Sequence, residues 1–127
     1  MSDNLYGHRK MIVWQNLDQI EVSIQRKIIP LIPRNQFNLI DQIDRACSSS
    51  VANFIEGYYS GSIKEYIRFL KYSKRSLAEL QDWIRRLFNK NIIKNIEYLA
   101  LDDLIIRTMY LLNRLISALK IKSQKPL

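Results

Sequence analysis

Lys64, Arg68, Lys71 and Arg75 fall four, three and four residues apart, a spacing that places all four on one face of a helix. Lys74 sits beside them, and Arg85 and Arg86 carry the run on toward Lys90. Between Ser62 and Lys90 there are eight basic residues and three acidic ones (Glu65, Glu79, Asp82), a surplus of five positive charges on one segment. Cations at this density recognise anions: each can neutralise a phosphate and release its counterion, with an affinity that falls as salt rises. Tyr58, Tyr59 and Tyr72 lie near one end of the stripe, and tyrosine rings suit stacking on unpaired bases. The alternative is an ordinary solvated helix face with its aromatics buried at a contact.

Covalent chemistry finds no comparable set. His8 is the only histidine and has no metal-ligand companion nearby in sequence. Three glycines, Gly7, Gly57 and Gly61, make no phosphate-cradling loop. Asp102 and Asp103 are adjacent and so diverge on a helix, which suits neither an acid–base pair nor a two-metal site. Asp41 and Asp44 share a face but sit beside Arg45. A carboxylate-bridged di-metal bundle needs Glu-x-x-His, which does not occur. Cys47, between Ala46 and Ser48, reads as a small packed residue rather than a nucleophile. The expectation is a binding protein without catalytic residues, metal or cofactor.

The bulk properties agree with that class. A chain of 127 residues, 47% hydrophobic with 3 Gly and 3 Pro, suffices for one domain spanning 1–127 and is too poor in turn residues for an all-β fold. A net charge of +8 and a pI near 9.7 favour an anionic partner, nucleic acid ahead of membrane. A lone cysteine fits a reducing compartment. The opening MSDNLYGHRK lacks a signal-peptide pattern, and no run reaches the ~18 apolar residues of a membrane span. The cytoplasm is the expected location.

The stripe must be held by helices. Trp14, Leu17, Ile20 or Glu21, Ile24 and Ile28 recur at helical steps until Pro30, predicting a first helix over about 9–29. Residues of about 36–56 form a second, with Asn35 as a candidate N-cap and Gly57 as a left-handed stop. Its middle, Ala46 to Ala52, is slim and predicts a close contact with another helix. Ser62 with Glu65 is a capping-box signature opening a third helix over about 62–90. Its seam, Ile63, Tyr66, Leu70, Ser73, Leu77, Leu80, Ile84 and Leu87, alternates threes and fours throughout. The fourth, about 95–121 and capped by Asn95, carries an inner stripe of Ile96, Leu99, Ile106, Met109, Leu112, Ile116 and Leu119. Leu101, Leu104, Ile105, Leu111, Leu115 and Ile121 spread around it, more apolar girth than a monomer needs; self-association follows. Asn53, Glu56, Ser76 and Glu79 are polar residues on or beside apolar faces, and Arg45 is a candidate partner for the two glutamates. The fold class is all-α, an up-down antiparallel four-helix bundle. Residues 1–8 read as a loose arm and Lys120 to Leu127 as a frayed tail.

The order of several short motifs resembles the four-helix-bundle proteins encoded in intervening sequences of bacterial 23S ribosomal RNA genes. The accessory variability determinant proteins of diversity-generating retroelements share that fold. Trp14 matches an early tryptophan; Leu39, Gln42, Arg45 and Ala46 match a Leu-x-x-Gln-x-x-Arg-Ala run; Asn53, Glu56 and Gly57 match Asn-x-x-Glu-Gly, with Ser49 in a serine position. Phe69-Leu70 and Ser76-Leu77-x-Glu79-Leu80 follow, over about residues 11–119 in all. Ser73 and Arg75 stand where Ala and Gly are common, making the outer face of this third helix more polar and basic than the pattern. The resemblance implies a non-enzymatic homo-oligomer, a ring of five, which in the retroelement branch binds RNA or DNA and associates with a reverse transcriptase. The expectation is such an accessory protein, with Lys64, Arg68, Lys71, Lys74, Arg75, Arg85 and Arg86 contacting nucleic acid. The alternative is a protein-interaction scaffold with no nucleic-acid role. A membrane-surface bundle is disfavoured, because no exposed Trp-rich apolar face accompanies the basic residues.

Overall fold

Four helices account for most of the computed structural model, which describes residues 6–125. The arm expected over 1–8 and the frayed tail expected over 120–127 lie outside the described residues at 1–5 and 126–127; within them the chain is ordered instead, as a 3-10 turn over Gly7–Lys10 and as helix through Ser123. Helix α1 spans Ile12–Ser23, α2 Phe37–Tyr58, α3 Ile63–Asn89 and α4 Asn95–Ser123, and no strand occurs among the described residues. Each helix packs on the next and α4 closes on α1. The architecture is the four-helix bundle that the periodicity predicts. No helix among the described residues is long and apolar enough to cross a membrane.

The core is aliphatic and drawn from all four helices: Leu17, Ile20 and Ile24, Ile43 and Phe54, Leu70, Leu77, Leu80, Ile84 and Leu87, Ile105 and Leu112 are sealed from solvent. Each such side chain contributes about 1.5–3 kcal/mol relative to exposure. Cys47 is also fully buried, and burial, with Glu21 and Asp44 nearby, pushes its thiol up to about 12. The α3 seam is buried as expected from Leu70 to Leu87.

The helix ends depart from the sequence in instructive ways. Pro30 has no N–H and its ring crowds the carbonyl four residues back; the chain widens into a π turn over Ile24–Ile28 and then tightens into a 3-10 turn over Ile29–Leu31. Asn35 does not cap α2, which begins at Phe37 with Gln36 at the cap. Ser62 caps α3, its Oγ accepting from the Glu65 N–H at 3.2 Å, but the Glu65 carboxylate turns to Arg68 instead of closing the box. Just past the end of α3, Asn91 takes φ +62°, with the Ile92 N–H donating to Leu87 O and the Asn91 N–H to Phe88 O, a Schellman closure with Asn in the usual glycine position. Asn95 is not a cap either; it is the first residue of α4, and Glu97 Oε1 accepts from the Lys94 N–H at 2.9 Å.

Gly57 is the main correction. It does not stop α2 in a left-handed conformation; it lies buried inside the helix, and the turn takes its positive φ at Gly61, +75°. A Cβ on Gly57 would sit 2.9 Å from Phe69 Cβ and 3.2 Å from the Tyr66 carbonyl oxygen of α3. The slim face of α2 therefore makes its close contact within the protomer. Ser73 is fully buried in this contact and not on the outer face of α3; its Oγ donates to the Ser50 carbonyl at 2.6 Å, and the Ser49 and Ser76 hydroxyls meet at 2.8 Å. Asn53 Nδ2 joins them by donating to Ser49 O and Oγ. Glu56 and Glu79 stay exposed, and Arg45 pairs with Asp41 at 3.0 Å, not with either glutamate.

α4 is turned differently from the expected stripe. Its inner face is Leu101, Leu104, Ile105, Thr108, Leu112 and Ile116. Ile96, Leu99 and Ile106 point outward with Tyr110 and Ile121, each 51–74% exposed. The excess apolar girth is real, and it forms a second seam facing away from the core.

Gly57→Ala sets two effects against each other. Overpacking costs about 1–3 kcal/mol, and helix propensity returns about 1 kcal/mol. Because backbone and a Cβ both block the new methyl, we expect a net loss of about 1 kcal/mol in a urea melt.

Candidate nucleic-acid interface

The outer face of α3 is opposite the buried seam, so helix geometry aims Lys64, Arg68, Lys71 and Arg75 at solvent; all four are exposed. The structure brings these together as one row and divides the seven predicted residues by how their charge is engaged. Lys64, Lys71 and Arg75 make no ion pair among the described residues. Arg68 is bound by Glu65 through two bonds, Nε to Oε2 at 2.8 Å and Nη2 to Oε1 at 2.7 Å, and also donates to Tyr72 Oη at 3.2 Å. Arg85 and Arg86 share the Asp82 carboxylate at 2.9 and 3.0 Å. Lys74 leaves the row altogether: its Nζ reaches across to Asn113 Oδ1 on α4 at 2.8 Å.

Aromatic rings flank the row. Arg68 lies over Phe69 at 4.9 Å and over Tyr72 at 5.5 Å, Arg75 over Tyr72 at 5.5 Å, and Arg86 over Trp83 at 4.9 Å. These contacts restrain long side chains that would otherwise lose entropy on binding a ligand. The other tyrosines are engaged elsewhere. Tyr58 packs edge-on against Tyr59 and Tyr66, and its ring lies at a 30° tilt to that of Phe54. Tyr59 is exposed, with its Oη 3.0 Å from His8 Nδ1. His8 itself is seated against Trp14 at 5.1 Å between centroids, so the part of the expected arm from Tyr6 onward that carries it is docked.

The hydrogen bond from Arg68 holds the Glu65 carboxyl below its usual range, and that from Arg85, reinforced by Arg86, does the same for Asp82. Both pairs are solvent-exposed, so they hold side-chain positions more than they stabilise the fold. Elsewhere the balance reverses. Burial and the neighbouring charges of Asp18 and Asp44 raise the Glu21 carboxyl, and none of these three acids has an ion pair among the described residues. They lie on α1 and α2, whereas the largest surplus of positive charge lies on α3, and a polyanion is drawn there.

Sequence reasoning found the row but not the pairing of Glu65 and Asp82 with three of its arginines. The signal was present as acidic residues three or four positions before Arg68, Arg85 and Arg86. It also missed the groove between α3 and α4, where Gln81 Nε2 donates to Asp102 Oδ1 at 3.0 Å and the Phe88 and Tyr98 rings stack at 4.6 Å.

The family model described as 23S rRNA-intervening sequence protein matches residues 9–114, which include all four helices except the last turns of α4 and the whole basic row. The chain belongs to that family. No curated protein matches it. The 23S rRNA-intervening sequence protein match covers both the α2–α3 contact and the row, so the two features on which the reading rests lie inside the family region.

The Asp82 pairing holds at neutral pH and is released only as pH falls through the depressed value, since a carboxyl lowered on folding stabilises the fold above its unfolded pKa. A carboxyl-detected NMR titration should place Asp82 below the ordinary value of about 3.9. Arg85→Gln with Arg86→Gln should return it upward; an unmoved midpoint means the two arginines do not hold it.

Proposed function

We propose that this protein is a non-enzymatic, homo-oligomeric accessory protein that binds RNA or DNA through phosphate contacts along α3. The observation that carries the reading is the exposed row of Lys64, Lys71 and Arg75, whose charges have no carboxylate partner among the described residues, on a molecule of net charge +8. Arg68, Arg85 and Arg86 join the site by exchanging an exposed carboxylate for a phosphate, and Lys74 borders it. Such contacts give charge-driven, weakly sequence-selective affinity. Partnership with a reverse transcriptase, and assembly as a ring of five, rest on the resemblance to the retroelement accessory proteins. The outward seam of α4 supports self-association independently of that resemblance. The same seam also favours a second reading, a protein-interaction scaffold in which α4 docks a partner and nucleic acid plays no part.

Changing Lys64, Lys71 and Arg75 together to Glu should abolish binding of a labelled homopolymeric RNA at physiological salt while leaving oligomer mass unchanged. The wild-type logarithmic salt dependence should be steep, with each single Lys→Gln change lowering the slope by about one. Full affinity in the triple variant defeats the phosphate-row reading and leaves the scaffold.

Light scattering should give a mass near five times the 15.1 kDa protomer. Leu99→Asp with Ile106→Asp should dissociate it, because buried unpaired carboxylates are strongly disfavoured at an interface. A wild-type monomer at micromolar concentration rejects self-association through α4.

A further inference from the structure

Beside the basic row, the groove between α3 and α4 opens into a cleft of about 380 Å³ lined by Ala78, Gln81, Asp82, Arg85, Tyr98 and Asp102. That volume falls in the range of about 300–1,000 Å³ common to small-molecule sites. Ala78 is the short residue on the α3 wall. Opposite it, Tyr98 is held by its stack on Phe88, with rings 4.6 Å apart and 10° from parallel, which fixes an aromatic surface at the edge of the cleft. Asp102 is oriented by the bond that its Oδ1 accepts from Gln81 Nε2 at 3.0 Å. It has no cation partner among the described residues, so Oδ2 remains an available acceptor alongside Gln81 Oε1. Arg85 connects the cleft to the basic row; it bonds Asp82 through Nε and Nη2, which leaves the Nη1 donors for another oxygen.

An aromatic wall, an oriented carboxylate and a guanidinium on one rim complement a nucleotide more closely than a bare phosphate. The carboxylate selects the base. It is acceptor-only, and guanine is the one common base whose pairing edge presents two adjacent donors, N1–H and the 2-amino group. Adenine and cytosine set a ring acceptor beside their amino group, and uracil flanks its single N–H with carbonyl oxygens that a carboxylate repels. In a duplex this edge is consumed by pairing, so the cleft requires an unpaired base, the usual target of stacking and edge readout.

We propose that the α3–α4 cleft takes one unpaired guanine of a strand whose phosphates run along α3. The ring stacks at Tyr98, the N1–H and 2-amino groups donate to Asp102, and Arg85 meets the adjoining phosphate. This rests on the phosphate-row reading, and the two can fail separately.

The probes are fluorescently labelled single-stranded oligouridines carrying one central guanosine, inosine or adenosine, measured by anisotropy against the full-length protein. The guanosine strand should bind about tenfold tighter than the adenosine strand, the scale of a two-donor contact. Inosine, which lacks the 2-amino group, should fall between them. Asp102→Asn is isosteric and replaces one acceptor oxygen with a donor; it should erase the guanosine preference while leaving oligouridine affinity unchanged. Tyr98→Leu, checked by circular dichroism, should weaken both purine strands toward oligouridine. Equal binding of all the strands by the wild type overturns the cleft and leaves the phosphate row standing. A preference that survives in Asp102→Asn overturns the assignment of the base edge. Absence of binding to every strand overturns both.

Discussion

The distance between α2 and α3 is set by the absence of one side chain and the presence of three hydroxyl groups. At Gly57 the two backbones approach until no Cβ fits, and along the same contact Ser49 meets Ser76 and Ser73 meets the Ser50 carbonyl. Aliphatic packing alone tolerates rotation and sliding, because any methyl fills space about as well as another of its size. Hydrogen bonds at 2.6–2.8 Å tolerate neither. They fix how far α3 is turned about its own axis, and that rotation decides which residues face water. The outward aim of Lys64, Lys71 and Arg75, the lateral placement of Tyr72 and Trp83, and the approach of Lys74 and Gln81 to α4 all follow from it.

How much of this was legible depended on how many periodicities each segment carries. α3 has one apolar seam between charged flanks, so its spacing identified the buried face from Leu70 to Leu87. α4 is apolar on two faces, and spacing alone cannot choose between two seams that both repeat in threes and fours. The buried seam even includes Thr108, whose Oγ1 donates to the Leu104 carbonyl at 2.7 Å and so satisfies its hydroxyl inside the core. Gly57 was misread because a glycine near a helix end signals a stop locally, and the neighbour that makes it a packing residue is a whole turn of α3 away. The basic row was readable because it lies on one helix. The α3–α4 cleft was not, because its residues come together only when two helices dock.

The surface that results divides its tasks among helices. α3 presents charge, α4 presents an apolar seam, and α1 with α2 carries Asp18, Glu21 and Asp44, which have no ion pair among the described residues. A chain with this arrangement can join copies through one helix without covering the charges of another. The 23S rRNA-intervening sequence protein family thus has, in this member, a scaffold whose faces are chemically distinct while its core is uniform.

The buried thiol of Cys47 has a consequence of a different kind. With its ionisation pushed up to about 12, roughly one molecule in a hundred thousand carries the reactive thiolate at neutral pH, and that sulfur lies where no reagent reaches it. Alkylation or oxidation must wait for α1 and α2 to part. The only cysteine in the chain is therefore a clock built into the core: the rate at which it is labelled measures how often the bundle opens.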